Sequence, residues 1–205
     1  MDVQIAVGAE AVVTASEFLG RKAVVKTRVP KGYRHGDLDL RIRSSRTRNE
    51  VRVMRSARSE NVRTPVIYDV DMSECSITME FIEGSRVKEL LDGAPSSSEG
   101  VCRMIGEVLA EMHNRGISHG DFTTSNMILM KDGKLCIIDF SLGGINVGIE
   151  EMGVDLRLLQ RAFSSAHSAV EGGFDAVMDA YVNKKTDAGT VMGKVEEIRN
   201  RARYT

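Results

Sequence analysis

The first third of the chain alternates short apolar runs with turn-forming residues. The segments 5–20 (IAVGAEAVVTASEFLG) and 22–29 (KAVVKTRV) are rich in β-branched residues and are separated by glycine, which predicts strands. Two further runs, 65–70 (PVIYDV) and 76–82 (SITMEFI), flank a polar turn at 71–74. The pattern therefore predicts a small sheet that includes a hairpin.

One helix is predicted between these strands. After a basic loop, Thr47 and Glu50 form a capping-box pattern, and Val51, Met54 and Ala57 follow at helical spacing. We expect this helix to pack on the sheet.

From residue 84 onward the apolar positions recur mostly at helical spacing. Ser96 and Glu99 form a second capping box ahead of a helix. The apolar face of that helix holds Val101, Ile105, Val108, Leu109 and Met112. Later helices are predicted over 154–163 and 174–181. A last amphipathic segment carries Val191, Val195 and Ile198.

A short β pair interrupts these helices, since MILM and KLCIID flank an Asp132-Gly133 turn. The order of elements predicts an α+β chain with two lobes. We place a small antiparallel-sheet lobe with one helix at 1–83 and a mainly helical lobe at 84–205.

Composition is consistent with one compact globular protein. The chain has 205 residues, of which 42% are apolar and 28% charged, and no apolar run approaches membrane-spanning length. The N-terminal residues lack a basic segment followed by a long apolar one, so we expect a cytoplasmic protein. Cys75, Cys102 and Cys136 show no CxxC spacing and are expected to be buried and free.

Charge is distributed unevenly although the formal net charge is −1. Residues 21–63 contain 14 Lys or Arg and four Asp or Glu. A basic face of this kind can attract ATP or RNA phosphates. A solvated helix and loop would explain the same composition equally well.

The candidate chemistry is concentrated in HGDFTTSNMIL and LCIIDFS, which place Asp121, Asn126 and Asp139 at the ends of the predicted β pair. HxDxxxxN, a hairpin and an apolar strand leading into DF match the catalytic-loop and metal-loop pattern of kinases. Asp121 would orient or deprotonate the acceptor, and Asn126 and Asp139 offer oxygen ligands for Mg²⁺. The alternative is that these residues only cap turns.

The residues expected to contact the phosphates lie upstream in the same order as in kinases. Lys26 follows an apolar strand, as a lysine bound for the α and β phosphates of ATP should, and Glu50 could pair with it. Considered without the other, Lys26 would be interpreted as an exposed lysine on a strand, and Glu50 would be interpreted as a helix-capping residue. The phosphate-covering loop is predicted at Val7, Gly8, Ala9, Glu10 and Ala11.

Three further expectations concern the surroundings of this site. Backbone groups of Glu80 and Ile82 would meet the adenine edge, with Met79 beside the pocket. His119 is expected to hold the catalytic loop rather than to act as a base. Asp155 is expected to be a buried acceptor for backbone amides of that loop.

These motifs resemble the protein-kinase superfamily and, most closely, its PRPK-type branch, the small kinase subunit of the KEOPS tRNA-modification complex. The resemblance spans nearly the entire chain and rests on GAEA, YRHGDLD, RTRNE, MEFIEG, HGDFTTSNMI, IDFS and VDL. It implies an archaeal-type atypical serine/threonine kinase or partner-stimulated ATPase that uses ATP and Mg²⁺. Its partners would be a Kae-type subunit and other KEOPS subunits that form threonylcarbamoyladenosine in tRNA.

The chain also departs from ordinary protein kinases. Thr123 stands where serine/threonine kinases usually have a lysine, Ser141 replaces a glycine in the metal loop, and no APE motif follows. General protein phosphorylation is therefore not expected. Two alternatives are a small-molecule or RIO-like kinase and a non-catalytic scaffold with an RNA-binding basic face.

The resemblance also suggests that the basic C-terminal tail, with Arg199, Arg201 and Arg203, forms an arm that contacts a partner or RNA. The usual alternative is a frayed, solvated end.

Overall fold

The computed structural model describes residues 4–8, 10–95 and 98–201. Within these residues the chain forms ten strands, six α-helices and a short 3-10 helix at Thr124–Asn126. The strands are β1 Gln4–Val7, β2 Ala11–Phe18, β3 Arg21–Arg28, β4 Ile67–Asp71, β5 Ser76–Glu80, β6 Gly84–Arg86, β7 Ile117–Ser118, β8 Met127–Met130, β9 Leu135–Ile137 and β10 Gly144–Ile145. The helices are α1 Gly36–Ser59, α2 Val87–Gly93, α3 Glu99–Asn114, α4 Ile149–Ala166, α5 Gly173–Lys184 and α6 Ala188–Arg201.

The N-terminal sheet has the strand order β1-β2-β3-β5-β4, and every neighbouring pair is antiparallel. Strand β3 lies at the centre, where Lys26 is paired with Val13 of β2 and with Ile77 of β5. A central position holds the Lys26 backbone through ladders on both sides. The predicted strands and the hairpin from β4 to β5 are confirmed.

Helix α1 is longer than predicted, because it begins at Gly36 rather than near Thr47. The capping box was therefore wrong: Thr47 and Glu50 are both buried in the interior of α1, and Thr47 Oγ1 donates to the Arg43 carbonyl at 2.9 Å. The first turns lack an apolar stripe, which made them look like a loop. Arginine is nevertheless a good helix former, and two acids in the first turn, Asp37 and Asp39, suit the positive end of the helix dipole.

The remainder of the chain builds a mainly helical unit around two small sheets, β6-β8-β9 and β7-β10. Helices α3 and α5 approach closely at Gly106, where a Cβ atom would lie 2.1 Å from the Val177 carbonyl oxygen. Only glycine permits this contact. The core beneath it includes the fully buried side chains of Leu109 and Tyr181.

The predicted helices all form, but each is longer than its apolar pattern suggested. Residues 154–163 belong to α4, 174–181 to α5, and the final amphipathic segment to α6. The strands β6, β7 and β10 and the helix α2 were not predicted, since each is too short to show a period. Helix α3 begins at Glu99 with Ser98 at its N-cap, and Ser96 lies outside the described residues. The division at 83/84 stays a prediction.

The three cysteines are buried and free, as expected. Burial raises the pKa of Cys102 to about 11 and that of Cys136 to about 12. Their thiols therefore stay protonated near neutral pH. In the part of the chain that is described, no helix is long and apolar enough to cross a membrane.

Candidate active site

A cleft of about 770 Å³ opens between the N-terminal sheet and the β6–β9 region. The predicted site residues that line it are Val7, Gly8, Glu10, Ala11, Lys26, Glu50, Met79, Glu80, Ile82, Asp121, Asn126 and Asp139. Ala9 lies outside the described residues. Segments far apart in sequence therefore meet around one cavity, whose volume is in the range of ligand pockets.

Lys26 joins the two sides of this cleft. Its Nζ lies 2.7 Å from Glu50 Oε1 on α1 and 2.8 Å from Asp139 Oδ1 on the far wall. Lys26 and Glu50 are both buried. The ion pair expected from the sequence is thus present, and a second carboxylate shares the same ammonium group.

Sequence reasoning missed Arg28, which is buried beside this pair. Its Nη2 donates to Glu50 Oε2 at 2.5 Å, so Glu50 holds Lys26 with one oxygen and Arg28 with the other. Arg28 stands two residues after Lys26 and therefore points to the same face of β3. This two-residue spacing from Lys26 was the feature of the sequence that could have identified Arg28.

Arg46 is a second arginine that the sequence analysis did not single out. It lies one turn before Glu50 on α1, on the same helical face. Arg46 and Glu10 form a close ion pair, and Glu10 Oε2 is also 3.6 Å from Arg28 Nη1. Six charges therefore alternate along the cleft in the order Arg46, Glu10, Arg28, Glu50, Lys26 and Asp139.

The catalytic loop is fixed by its own hydrogen bonds. Asn126 Nδ2 donates to the Asp121 carbonyl at 2.9 Å and to Asp121 Oδ2 at 3.0 Å. His119 Nδ1 accepts from the Asp121 N–H at 3.2 Å, which leaves Nε2 to donate to the Ile138 carbonyl at 3.0 Å. With both ring nitrogens occupied by backbone groups, His119 holds the loop, as expected.

Asp155 supports the same loop from α4. Its two oxygens accept the N–H groups of His119 and Gly120, each at 2.7 Å, and its side chain is fully buried. His113 Nε2 lies 3.4 Å from Asp155 Oδ2, and His113 Nδ1 is 2.8 Å from the Tyr181 hydroxyl. The prediction that Asp155 accepts catalytic-loop amides is confirmed.

Asp139 adopts a left-handed backbone conformation with φ 65°, which is uncommon for a residue other than glycine. Burial alone would raise the pKa of its carboxyl group, but Lys26 and the Ser141 hydroxyl outweigh burial and lower it to about 2. Asn49 Nδ2 donates to the carbonyls of Ser141 and Gly143 at 3.2 and 2.8 Å, so α1 also holds the metal loop. Asp139 is therefore an anion at any physiological pH.

The donor set fits Mg²⁺ held jointly with a nucleotide. Because the Asn126 amide nitrogen is bonded to Asp121, its amide oxygen is left for another partner. Asn126 and the ionised Asp139 supply hard oxygens, and Mg²⁺ typically takes one or two carboxylates plus phosphate oxygens and water. Among the described residues no cluster of three or more His, Cys, Asp or Glu could hold a metal. The two oxygens offered by Asn126 and Asp139 suit an ion whose other ligands are phosphate oxygens and water.

The opposite end of the cleft is mainly apolar, with Val13, Val24, Met79, Ile128 and Ile138 in its lining. The Glu80 side chain is not available there, since Arg63 binds both of its oxygens at 2.9 and 2.5 Å. The Glu80 N–H donates to the Val66 carbonyl at 2.8 Å. No hydrogen bond from the described residues uses the Ile82 backbone. Of the two expected adenine contacts, Ile82 has the free N–H.

The C-terminal tail does not form a free arm as far as it is described. Arg199 and Arg201 lie in the last turn of α6, where Arg199 pairs with Glu196 and Arg201 Nη2 is 3.1 Å from Glu150 Oε1 of α4. Arg203 lies outside the described residues.

Comparison with known proteins gives a consistent result. A family model described as the RIO domain matches residues 13–143, a range that contains Lys26, Glu50, Asp121, Asn126 and Asp139. The chain is 42% identical over 207 residues to the KEOPS complex subunit Bud32 of Pyrococcus abyssi, with 96% of this chain and 94% of that protein covered. It is 37% identical to the EKC/KEOPS complex subunit Tp53rkb of Mus musculus, with 96% and 84% covered.

A longer relative is the probable bifunctional tRNA threonylcarbamoyladenosine biosynthesis protein of Methanosarcina mazei. Its identity to this chain is 44%, over 96% of this chain but only 35% of that protein. The RIO-like and PRPK-type alternatives therefore do not exclude each other, because one chain matches both. The chain belongs to the RIO-domain family of atypical, ATP-using kinases and ATPases, and within it to the group of the KEOPS subunit Bud32.

Proposed function

We propose that the chain binds Mg-ATP in this cleft and hydrolyses it or transfers its terminal phosphate, as the kinase subunit of a KEOPS-type complex. That complex would support formation of threonylcarbamoyladenosine in tRNA. Similarity over nearly the whole chain to KEOPS subunits supports the assembly. The observation that carries the chemistry is the contact of Lys26 with both Glu50 and Asp139, at 2.7 and 2.8 Å.

Lys26 and Asp139 neutralise each other across the cleft, and each is expected to exchange this contact when nucleotide binds. Lys26 would contact the α and β phosphates while Glu50 keeps its position. Asp139 and the Asn126 amide oxygen would hold Mg²⁺, which neutralises phosphate charge. The existing pair holds both side chains at the cleft, so little reorganisation is needed at the moment of transfer.

Asp121 is proposed to orient the attacking group, either a hydroxyl or a water molecule. Asn126 fixes one oxygen of the Asp121 carboxylate at 3.0 Å. Asp155 accepts the N–H groups of His119 and Gly120, and His119 Nδ1 accepts the N–H of Asp121, so the loop backbone is held on both sides of Gly120. In phosphoryl transfer such positioning supplies much of the catalysis, because the protein has little covalent chemistry to perform.

The distance along the chain between the metal loop and α4 argues against a broad range of protein substrates. Only residues 140–148 separate Asp139 from the start of α4 at Ile149. This stretch is too short for the activation segment on which protein kinases dock peptides. ATP hydrolysis, or transfer to a group presented by a partner subunit, is therefore the favoured reaction.

Contact with tRNA is proposed for one face of α1. Half of the 14 cations of residues 21–63 are already paired with carboxylates: Lys22, Lys26, Arg28, Arg34, Arg43, Arg46 and Arg63. Arg41, Arg48, Arg52 and Arg55 are exposed, and none forms a salt bridge with a described residue. Their spacing places them on one side of the helix, spread over about 21 Å. Such a row suits a phosphate backbone.

The remaining parts of the proposal concern partners and location. We place the Kae-type subunit among the partners, with the last turn of α6 as one candidate contact through Arg199 and Arg201. A cytoplasmic location would suit a complex that acts on tRNA.

The deciding experiment is turnover of γ-³²P-labelled ATP by the purified chain, with and without a Kae-type partner and tRNA. Lys26→Met and Asp139→Asn should each reduce metal-dependent turnover by about 10²-fold or more. The matched controls are Lys22→Met, an exposed lysine on the same strand, and Asp132→Asn in the exposed turn between β8 and β9. Both controls should retain wild-type turnover.

Wild-type turnover by Lys26→Met or Asp139→Asn would contradict the assignment. Mg-ATP binding without turnover under every condition would favour the scaffold alternative. Rapid phosphorylation of a small alcohol in preference to partner-stimulated turnover would favour a small-molecule kinase.

A further inference from the structure

The phosphate end of the cleft contains a contact that the proposed roles do not use. Glu10 lies in the turn between β1, which ends at Val7, and β2, which begins at Ala11. Its carboxylate pairs with Arg46 of α1 and faces Arg28. A turn that should cover phosphates therefore carries an anion into the place that phosphates would occupy.

Of the cations in this part of the cleft, Lys26 and Arg28 are both held by the buried carboxylate of Glu50. Arg46 differs, because its carboxylate partner belongs to the covering turn itself. The side chains of Arg46 and Glu10 are 31% and 38% exposed. Ion pairs with this exposure are weak, so a phosphate group with a higher charge can replace the carboxylate.

Arg28 adds a second donor that Glu10 does not satisfy. Its Nη1 lies 3.6 Å from Glu10 Oε2, which is too long for a hydrogen bond. A phosphate group has more acceptor oxygens than a carboxylate and could accept from both arginines at once. The guanidinium groups of Arg28 and Arg46 converge on a single anion, an arrangement that suits a phosphate group.

We propose that Arg46, assisted by Arg28, is the binding site for the terminal phosphate of ATP, and that Glu10 occupies this site until the nucleotide displaces it. Ala11, the residue after Glu10, is paired with Arg28 at the end of β3, whereas Met79 and Glu80 are paired with Val24 and Ala23 near its start. Glu10 therefore lies toward the end of β3 opposite the expected adenine contacts. Arg46 would then distinguish ATP from ADP. This inference rests on the proposed nucleotide site.

The test is calorimetric binding of Mg-ADP and of a non-hydrolysable Mg-ATP analogue to the full chain. Arg46→Gln should lower the affinity for the triphosphate analogue by about tenfold or more and leave the affinity for ADP unchanged, because only the triphosphate reaches Arg46. Glu10→Gln should raise the affinity for the triphosphate analogue about two- to fivefold, because a competing negative charge is removed. The matched controls are Arg103→Gln and Glu99→Gln, an exposed Arg–Glu pair on α3, which should change neither affinity.

Equal losses for ADP and the triphosphate in Arg46→Gln would overturn the proposal. Weaker triphosphate binding by Glu10→Gln would also overturn it, since the Glu10–Arg46 ion pair would then favour nucleotide binding by stabilising the turn between β1 and β2. Failure of the wild-type chain to bind either nucleotide would instead contradict the proposed function. Thermal unfolding without nucleotide shows whether each variant is folded.

Discussion

Asp155 Oδ1 accepts a hydrogen bond from the Gly120 N–H at 2.7 Å, which ties α4 to the catalytic loop one residue before Asp121. Gly120 has φ +78°, a conformation that side chains rarely adopt. A Cβ atom at this position would lie 2.2 Å from the Leu142 carbonyl oxygen in the metal loop. The loops that carry Asp121 and Asp139 thus touch at a point where only glycine fits.

Gly120→Ala is expected to disturb both loops. It should destabilise the protein by about 1–2 kcal/mol from the backbone conformation and by about 1–3 kcal/mol from overpacking. Turnover should fall by about 10²-fold, because displacement of a catalytic group by about 1 Å has such an effect. Urea unfolding and ATP turnover measure the two effects.

Gly133→Ala is the matched control, since Gly133 has φ +81° but a Cβ atom added there would have no other atom within 4 Å. It should show the conformational cost alone and keep wild-type turnover. Similar losses of stability and turnover in both variants would contradict the steric argument.

Arg28→Met should be strongly destabilising although methionine fills a similar volume. The substitution leaves Glu50 Oε2 buried without its partner, and breaking one side of a buried ion pair costs about 3–5 kcal/mol. Adding Glu50→Gln should recover much of the loss, because the uncompensated charge is removed. Urea unfolding of the single and double variants measures this coupling.

Arg115→Met provides the comparison, since Arg115 pairs with Glu60 on the surface. Arg115→Met should lower the free energy of unfolding by less than about 1 kcal/mol. If the double variant is as unstable as the sum of its single changes, Arg28 does not act by neutralising Glu50.

The sequence was informative where spacing and residue type coincide. HxDxxxxN and the following strand identified Asp121, Asn126 and Asp139, and their place in one cleft agrees with that prediction. The strands were predictable because β-branched runs are broken by glycine and polar turns. Family motifs supplied Glu50, which the capping-box reading explained wrongly.

Other features were hidden because they depend on tertiary contacts. The two-residue spacing places Arg28 on the same strand face as Lys26, but the contact of Arg28 with Glu50 and that of Glu10 with Arg46 each join separate elements and leave no pattern in the sequence. The first turns of α1 were missed for a related reason, because their arginines pair with acids instead of forming an apolar stripe. Charge pairing does not produce the periodicity that predicts helices.

His113 should make the protein less stable at mildly acidic pH. Burial lowers the pKa of His113 below its ordinary value of about 6.5, although contact with Asp155 opposes this effect. Below that value the unfolded chain binds a proton that the folded protein excludes, so stability falls as the pH drops. Urea unfolding between pH 8 and pH 5 should show a smaller loss for His113→Gln than for the wild type.

His35→Gln, which replaces an exposed histidine at the N-cap of α1, is the control for this measurement. An identical pH profile for the wild type and His113→Gln would show that His113 is not responsible.

The exposed arginine face of α1 makes a prediction about salt dependence. Replacing Arg41, Arg48 and Arg55 together by Gln should weaken tRNA binding and reduce the slope of log K against log[salt] by about 2–3, because each phosphate contact releases counterions. Stability and ATP turnover should not change, since these side chains lie outside the cleft. Filter binding across a salt series measures the slope for the chain and for its complex with a Kae-type partner.

The triple control Arg103→Gln, Arg115→Gln and Arg161→Gln removes the same charge from other surfaces and should lower the slope much less. Equal effects of the two triple variants would mean that net charge, and not this face of α1, determines binding.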